Sequence, residues 1–464
     1  MKKFYWMMVL ALMASTNVLA DDFTTDGDGT TWTMTKLAEA DGTGVSQEGS
    51  VFTMANTVVV AQGDYFLLEG GITVKMGQKV SLEIEGAASM APQERSLFTR
   101  SDEGVVPGLV YLKSENSMTL VQHVDFEYTG LKYYASRGLC VTDCTFRYHE
   151  ASTANGTSAL NLAGEGASFV VSNCVFEKNK RAAIGGAANA SNPITVENCQ
   201  FLYNDQQNLN YPQLNLTAAE NVIVRNNVVK GDRDMTRGGG IMVADLMGVA
   251  QNPVTLVEGN DVSDNRYGIA LYSGQKGFIR DNNVVNNNTE TTPANGGSGI
   301  NIYDTTGTQQ TLITGNNIEG NLWGVTIIGG GQINLGKVDE TDNGWQWAPG
   351  NNTFYNNGNG GVIYDVYNNS ANTVYAQGNY WKSAETQDAE GIEAVIFHQV
   401  DNASLGEVIF TPWADATTVG IYQTAVTVEA PAEQVFSLSG VRQNGLHKGL
   451  NIVRRGSTTV KVMR

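Results

Sequence analysis

The chain has 464 residues, a formal charge of −18, 52 glycines and only 9 prolines. That length buries the core of one elongated domain or of two or three compact ones, and the scarcity of proline argues against a disordered or collagen-like chain. The acidic balance repels nucleic acid and anionic membranes, and four cysteines are too few for a disulfide scaffold of this size.

In chain order, the first residues, MKKFYWMMVLALMASTNVLA, combine a basic start, an apolar stretch and a small-residue exit. Val18 and Ala20 fit the last positions before a leader-peptidase cut, so residues 1–20 read as a signal peptide and the mature chain starts at Asp21. No cysteine sits at the cut, and no later run is apolar for long enough to cross a bilayer. The expectation is an exported protein of the outer surface, the medium or the periplasm. Removing the leader takes away Lys2 and Lys3 and no acid, so the mature charge is about −20. Such a surface also disfavours acidic polysaccharides unless cations or a local basic patch intervene.

Residues 21–57 carry no repeat and are expected to cap the first coil of a strand-rich array, because an open end of strands must be covered. GDYFLLEGGITVKMGQKVSLEIEG, residues 63–86, alternates apolar and polar residues as initial coils would. Residues 58–427 are read as one solenoid. Its units are TDCTF, SNCVF, ENCQF, RNNVV, EGNDV, DNNVV, TGNNI, GNNTF and QGNYW. Their third positions are Cys144, Cys174, Cys199, Asn227, Asn260, Asn283, Asn316, Asn352 and Asn379, spaced by 23 to 36 residues. Strand-like runs recur in each unit (FVVS, ITVE, VIVR, VTLV), and a second set comes after a glycine: GIMVAD, GIALYS, GINIYD, GVTIIG and GVIYDV. Strand, turn, strand, turn in about thirty residues is one coil of a parallel β-helix, with coils stacked at about 4.8 Å.

The phrases NRYGIALYSG and GNLWGVTI, and the ending GNYW followed by IEAVIFHQVDNASLGEVIFTPW, resemble the right-handed parallel β-helix superfamily of pectate-lyase-like and NosD-like repeat proteins. Lys382 stands where that family commonly has a glycine after NYW. The resemblance spans roughly residues 58–413 and implies an all-β fold: a right-handed parallel β-helix with an N-terminal cap and a small C-terminal β module. It implies no one activity, because the fold hosts lyases, hydrolases, adhesins and inert scaffolds.

Stacked coils put like residues above one another, so Cys144, Cys174 and Cys199 are expected to form a buried file continued by asparagines whose amides bond along the axis. Parallel side chains one coil apart suit a disulfide poorly, and the file lacks the histidines and carboxylates of a metal site. A bridge from Cys140 to Cys144 or Cys174 is the remaining alternative.

No nucleophile elbow, phosphate loop, dinucleotide fingerprint or HExxH motif is present, and no metal or cofactor is implied. His123, His149, His398 and His447 read as structural or solvated. Registering the glycine-led strands puts Met242, Ala270, Asn301, Thr326 and Ile363 in one outward row. Ala244, Tyr272, Tyr303, Ile328 and Asp365 form the next, with Asp245, Ser273, Asp304, Gly329 and Val366 entering the turns. Tyr272 stacked on Tyr303, with Asn301, Asp245 and Asp304 alongside, offers ring faces and hydrogen-bonding groups to a sugar chain; an ordinary tyrosine ladder on an outer face is the alternative.

The insertion KGDRDMTRGGG, residues 230–240, adds Arg233 and Arg237, which with Lys276 could neutralise a uronate as a lyase requires. A hydrolase would instead draw its carboxylate pair from Asp245, Asp304 and Asp365. DETDNGWQWAPG, residues 339–350, brings Trp345 and Trp347 onto a loop, and Trp323 sits at the turn before a strand; such tryptophans serve binding or cap coil ends. Residues 428–464 read as a linker and a small basic β module. The order LSGVR then KGLNIVR resembles the C-terminal sorting modules of exported Bacteroidota proteins, with a docked capping strand pair as the alternative. The reading is a secreted or surface scaffold that engages polysaccharide on one long face. A lyase or glycoside hydrolase on that face, or an adhesin for a protein, is the competing class.

Overall fold

The computed structural model describes residues 22–114, 119–150, 158–338 and 350–417, and the backbone of four short strands beyond residue 433. The leader, the loop with Trp345 and Trp347, and His447 lie outside the described residues. No helix among the described residues is long and apolar enough to cross a membrane.

Three long sheets, of 14, 14 and 11 strands, run side by side, parallel throughout except where Val45–Glu48 pairs antiparallel with Val51–Met54 at the start of the second. Each central coil gives one strand to each sheet, as in Leu139–Thr142 (third sheet), Thr145–Arg147 (second) and Leu160–Leu162 (first), while the first coils place Thr31–Trp32, Tyr65–Leu67 and Ala87–Ser89 in a separate three-stranded sheet. This is the all-β, right-handed parallel β-helix expected from the repeat. Strands form because each short run alternates, and one set of side chains points into a narrow interior. Phe98, Phe126, Phe146, Phe176 and Phe201 occupy one column of the second sheet, fully buried, with neighbouring ring centroids 4.7–5.6 Å apart. Valine, isoleucine, Phe354 and Trp381 continue it, so one column carries the apolar core along the rod.

The corner between the third and second sheets is made by a residue with positive φ followed by an inward residue. Asp143, Asn173, Asn198, Asn226, Gly259, Asp281, Gly315, Asn351 and Gly378 take the left-handed conformation, with φ between 50° and 71°. Asparagine, aspartate and glycine tolerate it best, which explains why one of these three precedes each file position. The file itself is hydrogen-bonded: the Cys174 N–H reaches Cys199 Sγ at 3.4 Å, and the Cys199 N–H reaches Asn227 Oδ1 at 2.9 Å. From Asn260 onward each amide Oδ1 accepts from both the N–H and the Nδ2 of the preceding rung. All four cysteines are free; Cys144, Cys174 and Cys199 are buried, and Cys140 sits half-exposed on the third sheet.

One rung differs from the sequence reading. Asn282, not Asn283, is in the file: it accepts from Asn260 and donates to Asn316 Oδ1 at 3.0 Å. Asn283 opens the next strand and points outward, where it bonds Asp261 and Asn317. Two adjacent asparagines fit the motif equally well, and only the strand register separates them.

A second amide column, unread in the sequence, runs along the corner between the second and first sheets. Asn179 donates to Asn204, Asn204 to Gln213, and Gln213 to Asn265. Asn265, Asn287, Asn321 and Asn357 come next, and Asn357 Nδ2 ends on Asp365 Oδ1 at 2.8 Å. Gly231 leaves one coil without a rung, because a Cβ there would strike the Asp264 backbone; Gln213 reaches across from the neighbouring sheet instead.

The N-terminal end is pinned by Asp64, whose carboxylate accepts from Thr25 Oγ1, Trp32 Nε1 and the N–H groups of Gly27, Gly29 and Thr30. The helix Met34–Glu39, capped by Thr33, lays Met34 and Leu37 on the core. At the far end His398 donates Nε2–H to Glu393 and accepts the Val408 N–H on Nδ1. Contacts separate a second unit, residues 421–464, whose described strands form a four-stranded antiparallel sheet.

Replacing Asn282 with alanine leaves two buried donors of Asn260 without an acceptor, a loss of about 2–5 kcal/mol. Asn283→Ala, one residue away, is expected within about 0.5 kcal/mol of the parent. Denaturant unfolding of the two variants checks the register.

Candidate functional site

The first sheet carries the outward rows that hold the candidate residues. Strand pairing aligns Met242, Ala270, Asn301 and Thr326 in one row, and Ala244, Tyr272, Tyr303 and Ile328 in the next. The Tyr272 and Tyr303 rings stack with centroids 4.8 Å apart and planes at 27°. Stacking along the rod axis turns these faces toward each other. Edges and hydroxyls therefore look outward, and Tyr272 keeps one ring face toward the coil where Ala244 leaves room. Asn301 is half-buried between the rows, and its Oδ1 is buried without a partner among the described residues.

The same face gains a larger aromatic cluster in later coils. Thr326 is in register with Tyr367, and Tyr367 with Phe397. Tyr367 and Phe397 stack at 4.5 Å, while Trp323 lies 4.6 Å from Tyr364 and 4.9 Å from Tyr367. The Trp323 indole N–H donates to Pro293 O at 3.0 Å, tying the cluster to the short 3-10 turn Pro293–Asn295. The glycine-led pattern places the last strand at GVIYDV. Residues 358–363 are instead a small hairpin, Gly358–Asn359 with Val362–Ile363, and the strand begins at Val366. Ile363 thus leaves the outward row, Val366 becomes a core residue, and Tyr367 takes the outward place.

Beside this face, the turns leading into four successive strands of the first sheet line a cavity of about 360 Å³, with Asn210, Thr236, Arg237, Arg266, Glu290 and Asn295 among its walls. Arg266 is largely buried; its Nε bonds Glu290 Oε2 at 3.1 Å, and its other nitrogens bond Asn210 Oδ1 and the Asn295 carbonyl. The Arg237 guanidinium is exposed and makes no hydrogen bond or ion pair with described residues, while its backbone N–H holds Asn208 Oδ1 at 2.7 Å. Arg233, by contrast, is engaged: it bonds Asp264 Oδ1 at 2.9 Å and Asn288 Oδ1 at 2.8 Å. Lys276 starts a strand of the third sheet, on a different side of the rod.

The carboxylates beside the tyrosines are committed to their own turns. Asp245 accepts from the Val249 and Ala250 N–H groups at 2.9 and 3.2 Å. Asp304, only 3 % exposed, accepts from the Thr306 N–H and hydroxyl and the Gln309 N–H. Burial pushes its carboxyl up, but these hydrogen bonds outweigh it and hold the group below the usual range. Both shape loops at the edge of the face. The sequence motif did not reveal Arg266, Glu290 or the Tyr364–Tyr367 pair, because their placement depends on insertion lengths rather than on the repeat.

A family match agrees with this architecture. Residues 108–254 match the family described as the right handed beta helix region. No curated protein matches the sequence. Among solved structures the chain is similar to a double mutant of the periplasmic alginate epimerase AlgG, at 12 % identity over 84 % of both chains with a TM-score of 0.48. It is also similar to the A-module of the Azotobacter vinelandii mannuronan C-5 epimerase AlgE6, at 11 % identity over 78 % of this chain and 84 % of that one, with a TM-score of 0.24. Likeness at this level does not carry chemistry across.

Asp365, read from sequence as an outward candidate, is fully buried at the place where earlier strands have a glycine. The hairpin before it shifts the frame. Its Oδ1 accepts from Asn357 and from Ser383 Oγ at 3.0 Å, and its Oδ2 has no partner among the described residues. Burial raises its pKa to about 7 against those hydrogen bonds. The folded state therefore holds a proton that the unfolded chain has already released. Stability is expected to fall as pH rises from about 4 to about 7, and to level off above. Asp365→Asn is expected to flatten that portion of a melting temperature–pH profile.

Proposed function

We propose that this protein is an exported glycan-binding scaffold that engages polysaccharide along the outward face of the first sheet, between Tyr272 and the Trp323–Tyr367 cluster. The observation that carries the reading is one continuous face combining aromatic edges, the half-buried amide of Asn301 and an adjoining polar cavity with the uncommitted guanidinium of Arg237. Sugars present apolar ring faces and a belt of hydroxyls, and aromatic side chains beside amides match both. Arg237 provides the local positive charge that an acidic substituent would need on a chain of net charge −18. The binding reading is preferred to a hydrolase because Asp245 and Asp304 are held by their own turns and Asp365 is inside the rod. The leader sequence and the basic tail support export and surface attachment, with residues 428–464 as a sorting-like module.

The mature protein is to be tested on an array of neutral and uronate-containing glycans while unsaturated products and reducing ends are followed. Expected are binding without product, at least about tenfold weaker affinity in Tyr272→Ala/Tyr303→Ala, and a loss confined to acidic glycans in Arg237→Ala. Product formation would make the face catalytic; absence of any glycan binding would overturn the reading in favour of a protein partner.

A further inference from the structure

The third sheet has an outer face of its own, which the glycan reading does not use. Its middle outward row is Val170, Thr195, Ile223, Leu256, Phe278 and Leu312, in register coil after coil. Five of these six are apolar; Val170 at one end is 38 % exposed, Ile223, Leu256 and Phe278 are half-buried, and Leu312 at the other end is 8 % exposed. Beside the centre of the row, the loop that leads into Val254–Glu258 carries Leu246 and Met247, 58 % and 64 % exposed. A flat apolar row on a sheet surface marks a contact surface.

The row beside it is charged, and its order matters. Successive coils carry Glu197, Arg225, Glu258 and Arg280, with uncharged Ser172 and Thr314 beyond. Within the chain Arg225 pairs with Glu197 at 2.6 Å and Arg280 with Glu258 at 2.8 Å. Read upward the signs are minus, plus, minus, plus; read downward they are the inverse. The row is therefore complementary to its own reversed copy.

We propose that this face is an interface between two copies of the chain, packed sheet to sheet with the rods antiparallel. The twofold axis runs along the strand direction between Val222–Arg225 and Val254–Glu258. It sets Arg225 against Glu258 of the second copy, Glu197 against its Arg280, Ile223 against its Leu256 and Val170 against its Leu312. Side-by-side rods in the same direction would instead set the charged row against the row of Asn221, Val254 and Lys276, where no such complement exists. Ten overlapping strands at about 4.8 Å, about five residues deep, give roughly 750 Å² per copy, near the size of a standard specific interface.

Sedimentation velocity of the full chain from about 1 to 100 µM tests this, with circular dichroism as the check on folding. The parent is expected to dimerise, and Ile223→Lys/Leu256→Lys to stay monomeric. Arg280→Glu is expected to weaken dimerisation at least tenfold. Adding Glu197→Arg is expected to restore it, although that double swap breaks both ion pairs within the chain and, with the two positions three coils apart, forms no new one. A merely intrachain role for these charges predicts no restoration. A monomeric parent at the highest concentration, a dimer indifferent to the lysine pair, or a double swap that fails to recover would each overturn the proposal. Tyr272→Ala/Tyr303→Ala remains dimeric, so failure of the glycan reading is distinguished from failure of this one.

Discussion

Every coil must satisfy its backbone at tight corners that water does not reach, and this constraint governs the molecule. A parallel β-helix settles its strands through sheet pairing, but the corners expose N–H groups to an otherwise apolar interior. Two columns of side-chain amides solve the problem by bonding both to the corner backbone and to one another. The apolar columns are a consequence of this geometry. Once the corners stack in register, the phenylalanines between them have no choice but to lie ring upon ring. Cysteine replaces asparagine in the early coils because its sulfur is small, tolerates burial and still accepts an N–H.

The repeat made the fold legible because a solenoid writes its geometry into spacing. A left-handed asparagine, aspartate or glycine followed by cysteine or asparagine marks each corner of one column. The second column stayed hidden since its rungs come after tyrosine, lysine or aspartate as often as asparagine, as at Tyr203 and Asp264. A glutamine from another sheet fills its gap, which no fixed spacing reveals. The misplaced Asn283 and the displaced Asp365 have a common origin: motifs locate a coil to within a residue or a hairpin, whereas hydrogen bonds locate it absolutely.

The candidate face was legible in part. Period-two alternation puts Tyr272, Tyr303 and Asn301 on the outside, and pairing sets them side by side. Sequence could not say how a carboxylate spends its lone pairs. Asp245 and Asp304 sit where a sugar would want them, yet each closes its own loop. Arg233 and Arg237 are four residues apart and chemically alike; one is locked by Asp264 and Asn288, and the other stands at the mouth of a cavity. Partners decide which groups are available, and partners come from coils more than twenty residues away.

The amide columns also have a direction. Each rung receives from the coil before it and gives to the coil after it, and Asp365 closes the second series with a group that only receives when ionised. A newly duplicated coil with asparagine at the same two corners would find both neighbours already waiting. Such a rod can lengthen or shorten in whole turns over evolutionary time without redesigning its interior, provided the terminating aspartate stays last.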